Sequence, residues 1–343
     1  MKNTMFQYFE QLKGTVSQGI LIYACMMIVL FFSRYSVAGE LDQCLSDMMQ
    51  KASDSVTIGE IRRHCEKRMA DVQNDGSDVI SERLKQDKKN VLKPFTIMAH
   101  KPNYFLFGAY NTEGYDSTIY QDRYDDQSLK LQDIETQFQV SVKVPLLIDL
   151  FGNIDVYGAY TNRSFWQLYE VDSSPFRESN HEPEIWVQHN SNWSFLGFKN
   201  SANAFGFVHQ SNGRGGDISR SWNRIFANIL FERGNFALSF RPYYRIEEDE
   251  SSDDNPDITD YLGHYELRVG YKYKEHVFSA MSRNNLESGF DKGSVELSWS
   301  FPLWDYPFLK GYVQYFYGYG ESLIDYDNKV NKIGLGISLS DWL

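Results

Sequence analysis

The feature that most constrains this chain is a series of short alternating segments, which begins near Asn103 and continues to the C-terminus. Within each segment apolar and polar residues alternate with a period of two, which is the side-chain period of a β-strand. Polar turns separate about twelve such segments. The segments are YFLFGAYN, DIETQFQVSVKVPL, IDVYGAYTNRSFWQLY, EIWVQHNSNW, ANAFGFVHQS, RSWNRIFANILFE, FALSFRPYYRI, YELRVGYKYK, VFSAMSR, GSVELSWSF, LKGYVQYFYGYG and NKIGLGISLSDWL. The pattern predicts an all-β fold.

The alternation also indicates how the strands meet their surroundings. In the segment that starts at Ser221, the two faces differ in polarity: Ile225, Ala227, Ile229 and Phe231 against Arg224, Asn228 and Glu232. Apolar residues outside and polar residues inside are typical of a membrane barrel, which closes because no strand edge can stay unpaired in lipid. We therefore predict a twelve-stranded antiparallel transmembrane β-barrel with a small N-terminal extension. A soluble sandwich or lipocalin-like barrel is the alternative.

The N-terminus has the layout of an export signal. A lysine-containing start precedes the apolar run Gly19–Phe32, and small residues follow. This layout predicts a signal peptide over residues 1–39, cleaved after Ala38 or Gly39. A membrane anchor helix is the alternative, although the apolar run is shorter than the ~20 residues that span a bilayer.

The next segment, residues 40–95, is polar and is predicted to be an N-terminal extension and linker before a barrel domain over residues 96–343. Cys44 and Cys65 are compatible with one disulfide in an exported chain. The sequence DVQNDGSDVISE, Asp71–Glu82, approaches the spacing of a calcium-binding EF-hand loop. It departs from that spacing at two positions, so we interpret it as a solvated linker.

Charge and composition narrow the possible partners. The formal net charge of -12 at pH 7 argues against binding to nucleic acid through a basic surface. After the leader no run of ~18 apolar residues remains, so no second membrane helix is expected. Aromatic residues make up 16% of the chain, with 23 Tyr and 24 Phe. Both a membrane barrel and a soluble all-β protein are compatible with this composition.

The stretch FGFVHQSNGRGGDISRSWNR, Phe205–Arg224, concentrates the residues with catalytic chemistry. By parity His209 and Ser211 share the lipid-facing side of one strand, and Asn223 shares that side of the next. The loop between the strands is short enough for a hairpin, so the three side chains can converge. A nucleophilic serine needs a base, and the base needs a third group that fixes its tautomer. The three residues are therefore candidates for a catalytic triad with an uncharged orienting group.

The glycines of the loop, Gly213, Gly215 and Gly216, allow a tight turn whose backbone N–H groups can meet an oxyanion. The alternative is that His209 and Ser211 are ordinary polar residues at a strand end, and that the glycines serve only the turn. No G-x-S-x-G nucleophile elbow and no H-E-x-x-H zinc motif occurs elsewhere in the sequence.

Several motifs together resemble a known family. These motifs are HQSNGRGGDISRSWNR, SSPFRESNHEP, DDNPDIT and YGYGESLIDYD. They closely resemble the outer membrane phospholipase A family of Gram-negative bacteria, and the resemblance covers roughly Asn103 to Leu343. The resemblance implies a twelve-stranded barrel in the bacterial outer membrane, with its active site on the outer face. It also implies calcium-dependent hydrolysis of phospholipid acyl esters, with phospholipase A1, phospholipase A2 and lysophospholipase activity.

The resemblance carries the family's catalytic roles to residues of this chain. His209, Ser211 and Asn223 match the triad, and the backbone N–H of Gly213 matches the oxyanion donor. The neutral asparagine gives less charge stabilisation to an imidazolium than a carboxylate does, so we expect help from another group.

The family's calcium ligands also have counterparts. The resemblance assigns the catalytic calcium to the Arg214 carbonyl, to Ser219 and, from the other subunit of a dimer, to Ser173. Asp217 and Asp254 match carboxylates of a further calcium site. Calcium takes hard oxygen ligands, and its charge can compensate for a neutral triad amide. A solvated loop is the alternative for the further site.

The resemblance implies activation by reversible homodimerisation, because substrate pockets form between two barrels. At the position of the family's interfacial glutamine this chain has Asn162, a shorter amide that can still hydrogen-bond across an apolar interface. Gln210 replaces the family's usual Asp and faces the interior by parity. A porin-like channel or an inactive structural barrel is the alternative function.

Overall fold

The computed structural model describes residues 78–91, 96–170, 175–249, 251–289, 291–304 and 306–343, together with Gly59 and Ile61. It confirms the predicted fold class, because twelve antiparallel strands form a closed barrel with one additional short strand. The strands are β1 (Met98–Ala99), β2 (Asn103–Asn111), β3 (Ile134–Leu150), β4 (Ile154–Trp166), β5 (Phe176–Phe195), β6 (Phe198–Ser211), β7 (Ser221–Arg233), β8 (Phe236–Ile246), β9 (Tyr265–Tyr273), β10 (His276–Asn284), β11 (Gly293–Leu303), β12 (Tyr306–Gly318) and β13 (Val330–Ser340). The helices are α1 (Val79–Val91), α2 (Thr118–Tyr124) and α3 (Ile258–Leu262).

The barrel closes through the pairing of its first and last long strands. Each strand from β2 to β13 pairs with its neighbours in sequence, and β13 also pairs with β2. The short strand β1 pairs with β3. Closure satisfies the backbone N–H and C=O groups of the wall without an open edge, which is the condition for strands that lie in lipid.

The two ends of the barrel differ in the length of their connections. One end has tight turns, at 151–153, 196–197, 234–235 and 274–275. The other end has the long connections 112–133, 167–175, 212–220, 247–264, 285–292 and 319–329. In outer-membrane barrels the short turns are periplasmic and the longer loops are extracellular. The loop 212–220 therefore lies at the outer end.

Charged side chains fill the interior of the barrel. The guanidinium of Arg177 lies 2.9 Å from the Glu135 carboxylate, and Lys332 lies 3.3 Å from the same carboxylate. Further along the lumen, Arg241 lies 2.6 Å from Glu184. Each of these buried charges has an opposite partner, which offsets the cost of removing it from water.

The outward and inward faces follow the predicted alternation. In β13, Ile333, Leu335 and Leu339 are 54%, 60% and 72% exposed on the outer face. In β7, Arg224 and Glu232 are buried inside. A wall that is apolar outside and polar inside is that of a membrane barrel, so the soluble alternative is wrong.

Helix α1 docks at the tight-turn end of the barrel. Its free N-terminal amides meet a carboxylate of the wall, because Glu232 accepts hydrogen bonds from Ile80 N at 2.7 Å and Ser81 N at 2.9 Å. In return, Asp78 accepts a hydrogen bond from Gly234 N at 2.9 Å. A carboxylate at this position satisfies the unpaired amides and complements the helix dipole. None of the described helices is long and apolar enough to cross a membrane.

Several sequence predictions concern residues outside the described ranges. These are the signal peptide over residues 1–39, the Cys44 and Cys65 pair, Ser173, and most of the Asp71–Glu82 segment. The division into an extension over residues 40–95 and a barrel from residue 96 stays a prediction.

We predict that replacing Glu232 by Gln releases α1 from the barrel wall. One carboxylate oxygen accepts from both backbone amides and the other accepts from the hydroxyls of Ser81 and Ser201, so the single accepting oxygen of a glutamine cannot serve both sets, and a lost hydrogen bond to a charged group costs about 1–3 kcal/mol. Trypsin should then cleave at the basic residues of α1 roughly 5- to 150-fold faster, as local opening becomes more frequent. The exposed Glu275, at the same end of the barrel, provides the control Glu275→Gln. Equal cleavage rates in the two variants would show that Glu232 does not hold α1.

Candidate active site

His209, Ser211 and Asn223 lie on the outer face of two adjacent strands, as parity predicts. His209 and Ser211 are at the end of β6, and Asn223 is near the start of β7. The strand pairing sets His209 directly opposite Asn223. Phe205 and Phe207 share this face and are 39% and 38% exposed. The polar trio therefore borders an apolar, lipid-facing surface at its outer end.

Two hydrogen bonds fix the tautomer of His209. Its Nδ1 lies 2.9 Å from Asn223 Oδ1, and Asn223 Nδ2 donates to Glu248 Oε1 at 3.1 Å. A carboxylate only accepts, so the amide nitrogen of Asn223 turns toward Glu248 and its oxygen toward His209. Nδ1 of His209 therefore carries the hydrogen, and Nε2 is the basic nitrogen.

Ser211 completes the group. Its side chain is half-buried and lies two positions beyond His209 on the same strand face. Among the described residues, His209 hydrogen-bonds Asn223 and not Ser211. In substrate-free active sites this contact is often long and tightens only in the complex. The three residues stay candidates for nucleophile, base and orienting amide, with the contact between base and amide formed.

One buried amide organises the loop 212–220. Asn212 is 4% exposed, and its Nδ2 donates to the Ile218 carbonyl at 2.8 Å. Its Oδ1 accepts from the backbone amides of Arg214 at 3.2 Å and Arg220 at 3.1 Å. Because a single side chain bridges both halves of the loop, the backbone beyond Ser211 has a defined conformation.

Glycine is required at two of the three predicted loop positions. Gly213 and Gly216 have φ of 65° and 70°, in the left-handed region that disfavours other residues. Gly215 has φ of -126°, an extended conformation that any residue adopts. The N–H of Gly213 donates to no described residue, so it is available to an oxyanion.

The same loop brings together some of the predicted calcium ligands. Ser219 Oγ donates to Asp254 Oδ2 at 2.6 Å, so these two oxygens are adjacent. Arg220 Nη1 donates to the carbonyls of Asp217 at 3.0 Å and Ser219 at 2.6 Å. Within the described residues no three His, Cys, Asp or Glu side chains form a metal-binding cluster. A calcium site here would therefore combine at most two carboxylates with hydroxyl and carbonyl oxygens, including the carbonyl of Arg214.

Asn162 lies on the outer face of β4 and contacts a second histidine. Its Oδ1 accepts from Ser164 Oγ at 2.9 Å, and its Nδ2 lies 3.3 Å from His181 Nδ1. The hydroxyl of Tyr160 lies 2.6 Å from the same nitrogen. In the pairing of β5 with β6, His181 is directly opposite Ser211. The predicted dimer contact is thus hydrogen-bonded to a residue beside the candidate nucleophile.

Comparison with known proteins identifies the family. A family model described as phospholipase A1 matches residues 80–339. The chain belongs to the phospholipase A1 family.

Individual relatives agree with this assignment. Phospholipase A1 of Klebsiella pneumoniae is 36% identical over 260 residues, which cover 75% of this chain and 86% of the relative. The outer membrane phospholipase of Salmonella typhi, solved as a dimer with bound calcium, superposes with a TM-score of 0.67 at 34% identity and covers 74% of this chain and 96% of its own. Outer membrane phospholipase A of Escherichia coli, solved as an active-site variant with Ala in place of Asn, superposes with a TM-score of 0.67 at 32% identity and covers 74% and 97%.

In this phospholipase A1 family member Gln210 faces the barrel interior, as parity predicts. Its Oε1 accepts from Trp222 Nε1 at 2.8 Å and from Arg224 Nη2 at 3.2 Å. Trp222 is fully buried in the interior. The residue next to His209 therefore joins β6 to the barrel interior and lies away from the lipid-facing site.

Two residues of the candidate site were not predicted from the sequence. His181 belongs to the first half of β5, which is polar and contains Pro183, and the predicted segment began only at Glu184. Extending that strand by parity would have placed His181 on the lipid-facing side, and only the register of the folded sheet places it opposite Ser211. Glu248 follows β8 in an acidic run that resembles any solvated loop. Only the folded chain shows that it meets Asn223.

We predict that replacing Glu248 by Ala lowers ester hydrolysis about tenfold or more, because Asn223 loses the acceptor that orients its amide. The measurement is kcat on a short-chain phospholipid in detergent. Glu247→Ala, at the exposed neighbouring residue, is the matched control. If both variants keep the parental kcat, the contact with Glu248 does not position Asn223.

Proposed function

We propose that this phospholipase A1 family member hydrolyses acyl ester bonds of membrane phospholipids at the outer surface of its barrel. The observation that carries the proposal is a serine, a histidine of fixed tautomer and an orienting amide on the lipid-facing side of β6 and β7. Polar groups on a lipid-facing wall are costly, so their concentration at one place favours a functional role. The long loops around them favour a site at the level of the outer leaflet.

The residues support a two-step acyl transfer. The Oγ of Ser211 forms a bond to the ester carbonyl carbon while its proton passes to Nε2 of His209. The bond between that carbon and the alcohol oxygen then breaks, and His209 returns the proton to the leaving oxygen. Water repeats the sequence on the acyl-serine and releases the fatty acid. Asn223 accepts a hydrogen bond from His209 Nδ1 throughout and so keeps the ring in one orientation.

Gly213 is proposed as the backbone donor to the oxyanion. Its N–H follows Ser211 closely in the chain, and the left-handed conformation at φ of 65° turns this part of the loop sharply. A donor that is fixed before the reaction costs no reorganisation when charge develops on the carbonyl oxygen. The buried amide of Asn212 supplies that rigidity.

Calcium is part of the proposal because the loop offers suitable oxygen donors. The Arg214 carbonyl, Ser219 and Ser173 of the partner subunit are proposed to hold one ion, and Asp217 and Asp254 a further ion. The contact of Ser219 with Asp254 shows that hard oxygens of the two sets are adjacent in this chain. Bound calcium would supply positive charge that the neutral triad amide does not. The Salmonella typhi relative was solved with bound calcium.

The open position of the site supports a broad regiochemistry. Ser211 and His209 are partly exposed on the barrel wall, so either acyl ester of a phospholipid beside the barrel can approach them. We therefore propose phospholipase A1, phospholipase A2 and lysophospholipase activity for the same triad.

We further propose that a reversible homodimer is the active form. One barrel wall contacts a substrate acyl chain from one side only, and a second barrel would enclose it. The adjacent wall of β3 exposes large apolar side chains, including Val140, Leu146 and Leu147. Asn162 lies beside them as the proposed polar contact, paired across the strands with Val140. The Salmonella typhi relative was solved as a dimer.

A passive channel is the alternative function, and the interior opposes it. A lumen cavity of about 160 Å³ is enclosed by charged side chains that include Arg163, Glu266 and Arg268. Ion pairs such as Arg163 with Glu296, at 3.3 Å, cross the lumen. A twelve-stranded barrel with this filling leaves little room for free passage.

We predict that Ser211→Ala lowers kcat on phospholipid about a thousandfold or more while the barrel remains folded. Hydrolysis in detergent is the measurement, and heat-dependent mobility on gels checks folding. Ser221 pairs with Ser211 across the two strands, so Ser221→Ala is the matched control. Turnover by Ser211→Ala equal to that of the parent would refute the proposed function.

We also predict that a calcium chelator abolishes hydrolysis and that added calcium restores it. Ser219→Ala should raise the calcium concentration for half-maximal activity about tenfold, because it removes a hard oxygen from the site. Ser252→Ala, an exposed serine of loop 247–264, is the control. Chelator-resistant turnover would show that the reaction proceeds without calcium.

A further inference from the structure

Two imidazoles flank the candidate nucleophile. His209 lies two positions before Ser211 on β6, and His181 lies opposite Ser211 on β5. The proposed function uses only His209. The hydrogen bonds of His181 show what the second imidazole can do.

His181 has the tautomer opposite to that of His209. Its Nδ1 lies 2.6 Å from the Tyr160 hydroxyl and 3.3 Å from Asn162 Nδ2. In the structure the Asn162 oxygen accepts from Ser164 Oγ at 2.9 Å, so its amide nitrogen, which only donates, faces His181. In this arrangement Nδ1 of His181 is an acceptor and its Nε2 carries the hydrogen. Without a lone pair on Nε2, this ring cannot act as a base through that nitrogen.

The protonated edge of His181 lies against the loop glycine. A methyl group built on Gly213 would be 3.6 Å from His181 Cδ2 and 3.7 Å from His181 Nε2. No described residue accepts a hydrogen bond from His181 Nε2 or from Gly213 N. Two N–H groups without a described acceptor therefore belong to residues close to Ser211, His181 opposite it on β5 and Gly213 two positions after it in the loop.

We propose that His181 is a second oxyanion donor, and so a catalytic residue of this chain; the inference rests on the proposed function. As Ser211 Oγ bonds to the ester carbon, the carbonyl electron pair moves to its oxygen, and His181 Nε2–H donates to that oxygen alongside Gly213. The proton stays on Nε2, and the electron pair returns to the carbon when the bond to the alcohol oxygen breaks. A neutral imidazole is a suitable electrophilic donor of this kind.

The two histidines thus have complementary roles that their amide partners determine. Asn223 presents its oxygen to His209 and makes it a base. Asn162 presents its nitrogen to His181 and makes it a donor. His181 also supplies charge stabilisation that does not depend on the triad amide.

The test compares amides that place a donor at different distances along the side chain. Gln at position 181 carries its nitrogen near the level of Nε2, whereas Asn carries it near the level of Nδ1. We expect His181→Gln to keep kcat within about tenfold of the parent. His181→Asn and the ring-retaining His181→Phe should lose about 100- to 1000-fold, the usual effect of removing one oxyanion donor. KM should change little in all three variants.

The outcomes separate this inference from the proposed function. All variants are compared at equal dimer fraction, measured by sedimentation in the same detergent, since His181 lies near the proposed dimer face. A loss below tenfold in His181→Asn, or an equal loss in His181→Gln and His181→Asn, overturns the donor role. If Ser211→Ala is also fully active, the proposed function itself fails. If Ser211 is essential and the His181 variants are active, only the donor role fails.

A second measurement tests the tautomer without relying on activity. The chain has seven histidines, and 15N chemical shifts of the folded Ser211→Ala protein at alkaline pH distinguish the two neutral forms. His181→Gln assigns the resonance by its disappearance. We expect an Nε2–H tautomer at His181. An Nδ1–H tautomer there would overturn the proposal.

Discussion

Closure of a single antiparallel sheet is the constraint on which the rest of this structure depends. Every strand of the ring pairs on both sides, including β13 with β2, so the wall leaves no backbone edge to lipid. A closed wall has only an outside and an inside, and side chains alternate strictly between them. Residue parity alone therefore decides that Ser211 and His209 meet the lipid-facing side while Gln210 meets the interior.

Neutral amides organise the chemistry at this lipid-facing boundary. A carboxylate on the apolar wall would be expensive to desolvate, whereas an amide offers either a donor or an acceptor without net charge. Asn223 and Asn162 use opposite ends of the same functional group toward His209 and His181. Among the described residues, one carboxylate contacts this network: Glu248, which belongs to a loop beyond the strand, where water can reach it. The carboxylate charge of Glu248 thus lies off the membrane-facing wall but close enough to orient the amide of Asn223.

Much of this architecture could be predicted because period two is obligatory in a lipid-facing wall. All twelve alternating segments are strands, and the inward positions of Arg224 and Glu232 follow from counting. The failures have local causes. Strand β5 begins with polar residues and contains Pro183, so the alternation pattern did not predict the seven strand residues before Pro183, Phe176–Glu182. His181 is one of them. Strand β1 has only two residues, too few to show an alternation of apolar and polar side chains. Glu248 meets Asn223 only through a tertiary contact. Gly215 has an extended backbone that any residue adopts, so the number of glycines in the loop overstates how many positions require glycine.

The residue pair Asn162 and His181 also explains why the two proposed uses of this wall are linked. The resemblance implies a glutamine in the family where this chain has Asn162, and a glutamine would carry its nitrogen one methylene farther than the 3.3 Å contact with His181 requires. The shorter amide of Asn162 is therefore suited to a neighbour on the same barrel wall. Its other hydrogen bonds on that wall determine which donor or acceptor it can offer to a partner barrel. Its oxygen already accepts from Ser164. Because Asn162 contacts His181 and lies on the proposed dimer face, a partner contact that withdraws its amide would remove one of the two hydrogen-bonding groups at His181 Nδ1, so the proposed dimer and the proposed oxyanion donor share one side chain.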